Sequence, residues 1–178
     1  MGKIFYFADP HIGHANIIRH SKRPFVSVEE MNDFILKNWN SVVGKDDHVY
    51  VLGDMFFKLR DVEIENYLKK LNGHIHLIIG NHDKEILKQK YSKYFESKDD
   101  YLKINDNGTE VVLFHYPIAE WDGYYRNAIH LFGHIHNNEN EAYHTMKERK
   151  NCYNVGADIL GFTPRTLKEI IKGDFEWN

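Results

Sequence analysis

Residues 75–83 read IHLIIGNHD, a short apolar run with a polar cluster directly behind it. The apolar part is rich in Ile and Leu, which is typical of a buried strand, and Gly80 is typical of the turn that ends one. Open α/β sheets place their functional sites beyond the carboxyl ends of strands, which is where Asn81, His82 and Asp83 would lie. The stretch therefore predicts a buried strand with a functional site at its end.

The same arrangement of a short strand followed by polar side chains occurs at four other places in the chain. Aromatic and β-branched content predicts each of these strands. They are residues 3–8 before Asp9 and His11, 48–52 before Asp54, 110–114 before His115, and 129–132 before His134 and His136. Because the ends of such strands can meet at one rim of a sheet, we expect these distant clusters to converge.

The segments between the strands predict helices, and with them an α/β fold. Ser27 and Glu30 have the spacing of a capping box, and the apolar periodicity behind them predicts a helix that ends near Gly44. Further helices are predicted over 61–71, over 84–90, and from an N-cap at Thr163 with Pro164 in the first position.

The later part of the chain is less regular. Residues 101–104 and 110–114 flank the turn-forming sequence NDNG, which predicts a hairpin. Residues 137–151 are polar and predict a loop, and 152–155 predict another strand. The chain has no internal repeat and no linker, so residues 1–178 are predicted to form a single domain.

Composition and charge narrow the classes of partner. A net charge of −3 gives no footprint for a large nucleic-acid surface, which makes nucleic acid a less favoured partner. The single cysteine, Cys152, excludes an intrachain disulfide. No apolar run is long enough to span a membrane, and the N-terminus does not resemble a signal peptide. We expect a cytoplasmic protein without a membrane partner, and both a monomer and a homo-oligomer fit this composition.

The chain has 12 histidines, and several of them lie in the clusters behind the strands. Asp, His and Asn side chains, in the absence of cysteine, suit Mn, Fe, Ni or Zn. The candidate ligands are Asp9, His11, Asp54, Asn81, His115, His134 and His136. They are too many for one ion and suit two, if one carboxylate bridges. Two ions about 3.5–4 Å apart can hold a hydroxide between them and bind phosphoryl oxygens, which predicts hydrolysis of phosphate esters.

In this pattern the chain resembles the calcineurin-like metallophosphoesterases. Their motifs are Asp-x-His, Gly-Asp, Gly-Asn-His-(Asp/Glu), a lone His and Gly-His-x-His. In the same order, this chain has Asp9-Pro10-His11, Gly53-Asp54, Gly80-Asn81-His82-Asp83, His115 and Gly133-His134-Ile135-His136. The resemblance covers residues 9–136 and implies a four-layer αββα fold, a β-sandwich of two mixed sheets flanked by helices.

The resemblance also implies a role for each residue. One ion would be bound by Asp9, His11 and His136, the other by Asn81, His115 and His134, and Asp54 would bridge the two. Asn81 would contact the phosphate as well. His82 would lie beside the phosphate and would stabilise it or protonate the leaving group. His14, directly behind the first cluster, is a further candidate for substrate binding, although it could equally cap the next segment.

The chain departs from two branches of that family at Phe57. The protein Ser/Thr phosphatases have a second Asp at this position, and its absence leaves His82 without an orienting carboxylate, because the adjacent Asp83 is a poor substitute. The purple acid phosphatases have a metal-binding Tyr there. The chain therefore resembles the small bacterial and phage members, which cleave phosphomonoesters or phosphodiesters.

Other residues of reactive type lack a motif. Surface exposure is the expected state of Arg23, which could also bind a phosphate. Core packing or loop closure is the expected role of Trp121, which could also stack a base in the substrate pocket. His74 and His76 have the spacing of a metal-binding pair, but they precede the predicted strand and so lie at the wrong end for this site.

Three function classes remain for the site. The leading prediction is a metal-dependent phosphoric ester hydrolase acting on a small phosphate ester, with a nucleotide among the candidates. A nuclease would share the site and differ in the surrounding groove. A non-catalytic scaffold for protein interaction on the same fold is the alternative from a different class.

Overall fold

The computed structural model describes residues 2–173, and two β-sheets form its centre. The strands are β1 (Ile4–Phe7), β2 (His48–Leu52), β3 (His74–Ile78), β4 (Ser97–Asp99), β5 (Tyr101–Asp106), β6 (Thr109–Phe114), β7 (Ile129–Phe132), β8 (Cys152–Asn154) and β9 (Arg165–Thr166). The helices are α1 (Ala15–His20), α2 (Val28–Val42), α3 (Asp61–Leu68), α4 (Glu141–Lys147) and α5 (Leu167–Lys172).

Both sheets are mixed. The first has the order β4-β3-β2-β1-β9, in which only β9 is antiparallel to its neighbour. The second has the order β5-β6-β7-β8, in which β5 and β6 form the antiparallel hairpin that residues 101–114 predict. Asn107 and Gly108, both with positive φ, form its turn.

The two faces of β1 identify the layers on either side of the first sheet. Successive side chains of a strand point to opposite faces. Phe7 packs edge-on against Trp39 of α2, with ring centroids 6.2 Å apart. Tyr6 points the other way, and its hydroxyl donates to Asp106 Oδ2 of β5 at 2.9 Å. The first sheet therefore lies between α2 and the second sheet.

The second sheet is arranged in the same way. Val111 and Leu113 of β6 belong to the main core with the first sheet, whereas Val112 packs in a separate cluster with Trp121 and Met146 of α4. The expected four-layer αββα arrangement, two mixed sheets flanked by helices, is confirmed. Core packing of Trp121 is confirmed as well, and its indole N–H donates to the Ala128 carbonyl at 2.9 Å.

Helix α2 begins as predicted, but two other predicted helices are wrong. Residues 84–90 form no single helix, because two separate 3-10 turns, Asp83–Glu85 and Gln89–Tyr94, lie there. The buried side chains Ile86 and Tyr91 are five positions apart, a spacing that does not place them on one face of an α-helix. The last helix begins after Thr166 rather than Thr163, because Thr166 and Glu169 form a capping box.

The prediction of a loop throughout residues 137–151 is also wrong, since α4 lies within this segment. Asn140 caps the helix by accepting a hydrogen bond from the Tyr143 backbone N–H at 3.0 Å. Tyr143 and Met146, three positions apart, bury one helical face against the second sheet. Few apolar residues mark this short amphipathic segment, so its periodicity is weak in the sequence. None of the helices within residues 2–173 has the length and hydropathy needed to cross a bilayer.

Candidate metal centre

Loops that follow five strands bring the predicted ligands to one edge of the two sheets. Asp9 and His11 follow β1, Asp54 follows β2, Asn81 follows β3, His115 follows β6, and His134 and His136 follow β7. The first sheet contributes the first three loops and the second sheet the other two. The convergence of strand ends on one rim therefore explains how residues more than 100 positions apart come together.

The backbone at this rim is left-handed at five of the predicted ligands. The φ angles are 53° at Asp9, 51° at His11, 55° at Asp54, 69° at His134 and 51° at His136. Non-glycine residues with positive φ are uncommon, and backbone strain of this kind clusters at functional sites. The strands end before these residues, so the alternation of side chains along a strand does not set their orientation.

Asp9, His11 and His136 form one group whose potential ligand atoms all lie within 4.8 Å of one another. Asp9 Oδ1 lies 4.0 Å from His11 Nε2, and the rings of His11 and His136 stack with centroids 5.0 Å apart. Asp9 Oδ1 and His11 Nε2 are buried without a hydrogen-bond partner. Buried polar atoms are rarely left unpaired, and a cation between them would satisfy both.

A second group consists of Asp9, Asp54 and His115, again with ligand atoms within 4.8 Å of one another. His115 Nδ1 donates to the Leu52 carbonyl at 2.8 Å, so Nε2 of the neutral ring carries a lone pair. That nitrogen lies 3.1 Å from Asn81 Oδ1, which is also an acceptor. Two lone pairs that face each other at this distance suit two ligands of one cation.

Asp54, a member of the second group, also faces the first group. Its Oδ2 is 3.6 Å from His11 Nε2 and 3.7 Å from His115 Nε2. Its Oδ1 is occupied, because it accepts the backbone N–H of His82 at 2.8 Å. One carboxylate oxygen thus faces a histidine of each group.

The remaining predicted site residues lie around this pair of groups. The His134 ring packs against His115 at 5.1 Å between centroids, and its backbone N–H donates to Asp9 Oδ2 at 2.8 Å. His82 is exposed and its ring lies 5.7 Å from that of His11. His14 stacks on Phe57 with centroids 3.7 Å apart, and its buried Nδ1 has no hydrogen-bond partner. The His14 ring also packs against that of His11 at 5.3 Å between centroids, and His14 occupies the N-cap position of α1 without a side-chain capping bond.

Burial dominates the electrostatics of the centre. Desolvation raises the pKa of Asp9 to about 7 and also raises the pKa of Asp54. It lowers the pKa of His11 and of His115, which keeps both rings neutral and able to bind a cation. His136 differs. Burial lowers its pKa, but the hydrogen bond with Asp158 and the charges of Asp9 and Asp158 together raise it above its ordinary value. Burial thus disfavours the charged forms of Asp9 and Asp54, and a divalent ion bound beside them would stabilise those forms.

Sequence reasoning missed Asp158 and misjudged Arg23. Asp158 follows β8 and accepts a hydrogen bond from His136 Nδ1 at 2.8 Å. It fits the pattern of a polar residue shortly after a strand, which is the signal that could have identified it. Surface exposure of Arg23 is a wrong prediction, since this residue is only 4% exposed and pairs with Asp158. No motif around Arg23 marks it as buried.

Two other predictions concern residues close to the strands. Asp83 does not orient His82, because its carboxylate accepts backbone N–H groups of Gly80, Asp54 and Met55. The prediction that His74 and His76 precede their strand is wrong, because His74 begins β3 and His76 is its third residue. Their rings contact Glu96, His48 and Ser97, none of which is a predicted ligand.

The metal-free protein is expected to lose stability as the pH rises through about 7, the pKa to which burial raises Asp9. This pKa lies above the ordinary value of about 4, so the folded state holds a proton that the unfolded state releases. The resulting stabilisation is complete below about pH 4 and is lost as the pH rises through the folded-state pKa.

A cation must displace the proton on Asp9, which makes metal binding depend on pH. Added Mn²⁺ is therefore expected to raise the melting temperature more at about pH 8 than at about pH 6. Thermal unfolding of EDTA-treated and Mn²⁺-loaded protein at both pH values measures this difference. Equal increases at the two pH values would contradict the assignment of Asp9 as a ligand.

Comparisons with known proteins identify relatives without a described activity. The chain is 36% identical over 173 residues to the uncharacterized protein MJ1445 of Methanocaldococcus jannaschii, covering 97% of this chain and 91% of that one. It is similar to the crystal structure of AQ665, a protein of unknown function from Aquifex aeolicus, with 27% identity, a TM-score of 0.76 and coverage of 97% and 99%.

A more distant likeness is to a structure described as a novel archaeal phosphodiesterase. It is 14% identical with a TM-score of 0.47, covering 97% of this chain and 96% of that one. A TM-score this low does not transfer that activity to the chain. No family model matches the sequence.

Proposed function

Because the chain belongs to the same family as the uncharacterized protein MJ1445, whose name carries no activity, we propose a function from the site itself. The protein is a hydrolase of phosphate esters that depends on two divalent metal ions. The observation that carries this proposal is the position of Asp54, whose Oδ2 lies 3.6 Å from His11 Nε2 and 3.7 Å from His115 Nε2. Motifs that resemble those of the calcineurin-like metallophosphoesterases support it.

The donor atoms on either side of Asp54 fit two ions. Asp9, His11 and His136 would hold one, and their unpaired buried atoms favour this. Asn81, His115 and His134 would hold the other, supported by the lone pairs that face each other between Asn81 and His115. Nitrogen and oxygen donors of this kind suit Mn²⁺, with Fe, Ni and Zn as alternatives. When bound, the ions would activate water and neutralise charge on the phosphoryl oxygens.

The chain itself supplies the other elements of catalysis. His82 is exposed and its ring lies 5.7 Å from that of His11, which makes it the candidate to give a proton to the oxygen of a leaving group. Its backbone N–H binds Asp54 Oδ1 at 2.8 Å, which couples the position of the His82 loop to the bridging carboxylate. Tyr116 packs against His134 at 4.6 Å between centroids. Together with His14 and Phe57 it offers aromatic surface to a small ester such as a nucleotide.

The proposed function is tested with purified protein reconstituted with Mn²⁺. We expect turnover of bis(p-nitrophenyl) phosphate, p-nitrophenyl phosphate or both, and loss of turnover after chelation. If two equivalents of metal bind and no ester is hydrolysed with Mn²⁺, Ni²⁺, Fe²⁺ or Zn²⁺, the catalytic proposal is wrong and a scaffold role gains support. Metal binding and catalysis are thereby judged separately.

His82→Ala is expected to reduce kcat by about a hundredfold or more, within the range for loss of a general acid. The reduction should be largest for esters of poor leaving groups, such as alkyl phosphates, because p-nitrophenolate leaves without a proton. Comparison of kcat for the two ester types measures this. His144→Ala, which removes an exposed histidine from α4, serves as the control. An equal loss for both ester types would indicate that His82 stabilises the phosphate instead.

A further inference from the structure

Asp158 connects a predicted metal ligand to a buried arginine. It lies in the loop after β8, and its side chain is 2% exposed. His136 Nδ1 donates to Asp158 Oδ2 at 2.8 Å. Arg23 binds the same carboxylate with two donors, Nε to Oδ1 at 2.8 Å and Nη2 to Oδ2 at 3.0 Å. The bidentate pair fixes the plane of the carboxylate and, through it, the orientation of the imidazole.

The other donors of Arg23 bind the loop that carries Asp9. Nη2 donates to the Asp9 carbonyl at 2.8 Å, and Nη1 donates to the Pro10 carbonyl at 2.9 Å. The Arg23 side chain has no exposed surface. One guanidinium thus holds the backbone on which Asp9 and His11 are carried, together with the carboxylate that contacts His136.

The two groups of ligands differ in the hydrogen-bond partner of their histidine. In the first, the outer nitrogen of His136 meets a charged carboxylate. In the second, the outer nitrogen of His115 meets a neutral backbone carbonyl, that of Leu52, at 2.8 Å. A carboxylate partner makes an imidazole a stronger ligand, and loss of such partners typically lowers metal affinity about 10- to 100-fold.

We propose that Arg23 and Asp158 are positioning residues that make the group of Asp9, His11 and His136 the tighter of two metal sites. This inference rests on the proposed function for its two ions, and it concerns affinity rather than turnover. Asp158 holds the His136 ring with Nδ1 protonated and Nε2 directed at the site. Arg23 binds Asp158 and the Asp9 loop at once, so the three ligands keep their mutual geometry.

A purely structural role for this pair makes a different prediction. A buried ion pair contributes little net stability, because desolvation of both charges offsets their attraction. If stability were the whole role, removal of the Asp158 charge would affect unfolding and leave both metal affinities unchanged. A change confined to one metal site distinguishes positioning from packing.

The test is calorimetric titration of metal-free protein with Mn²⁺ alone, for wild type, Asp158→Asn and Arg23→Lys. Wild type is expected to bind in two steps of different affinity. Both variants are expected to weaken the tighter step, by about 10- to 100-fold for Asp158→Asn, and to leave the weaker step unchanged. Asp106→Asn is the matched control, because Asp106 is also a buried acid but bonds Tyr6 away from the centre.

A second measurement tests the orientation of His136 directly, without bound metal, in variants that are shown to be folded. In metal-free wild type, at a pH where the His136 ring is neutral, ¹⁵N-edited NMR of the imidazoles should show its proton on Nδ1, and Asp158→Asn should shift the tautomer towards Nε2. Unchanged titration and tautomer in folded Asp158→Asn would overturn the inference, as would a loss confined to the weaker step. Two-step binding without hydrolysis in wild type would overturn only the proposed function, and no Mn²⁺ binding by wild type would overturn both.

Discussion

Asp54→Asn is expected to lower kcat/KM for phosphate-ester hydrolysis by about a thousandfold or more. Metal ions contribute several kcal/mol to stabilisation of the transition state, and each 1.36 kcal/mol corresponds to a tenfold change in rate. Asp54 is the only carboxylate in the described chain with an oxygen within 4 Å of both His11 and His115. Loss of its charge should therefore weaken the binding of both ions rather than of one alone.

The asparagine variant tests charge with little change in shape. Asn can still accept the His82 backbone N–H, which Asp54 Oδ1 accepts at 2.8 Å, so the loop can keep its position. Steady-state kinetics and metal analysis of the same preparation measure the effect, with Asp106→Asn as the control for a buried acid remote from the site. If Asp54→Asn binds two ions and retains activity within tenfold of wild type, the bridging role is wrong.

Much of the fold could be predicted from the strands, because their patterns are local. The run before Asn81 carries its own strand signal, and so does the hairpin around Asn107 and Gly108. Convergence of the clusters followed from a general property of α/β sheets and needed no contact information. Local signals failed at the last helix, where Thr163 and Pro164 predicted the start but the capping box of Thr166 and Glu169 forms it.

The support of the site could not be predicted in the same way. Arg23 and Asp158 are 135 positions apart and meet only through tertiary structure. The left-handed backbone at Asp9 and His134 also has no sequence signal, because these conformations favour glycine and are imposed by the surrounding hydrogen bonds. Residue type is enough to suggest a metal ligand. The residues that orient the ligands are of common types, and only the tertiary structure shows which of them contact the site.

Asp83 is expected to contribute more to folding than to chemistry. It is 1% exposed and accepts three backbone hydrogen bonds, from Gly80 and Asp54 at 2.8 Å and from Met55 at 2.9 Å. These bonds join the loop after β3 to the loop after β2. Asp83→Ala is expected to reduce the free energy of unfolding by at least about 3 kcal/mol, because each of the three buried N–H groups left unpaired costs about 1–3 kcal/mol.

Such a loss is a large fraction of the roughly 5–15 kcal/mol that stabilises a domain of this kind. Urea unfolding in the presence of EDTA measures it without the contribution of bound metal. Asp100→Ala, at an exposed carboxylate, should change stability by less than about 0.5 kcal/mol. A comparably small effect of Asp83→Ala would mean that the two loops hold their positions without this carboxylate. The expected result would indicate that Asp83, which accepts the Asp54 backbone N–H, stabilises the left-handed backbone conformation of Asp54.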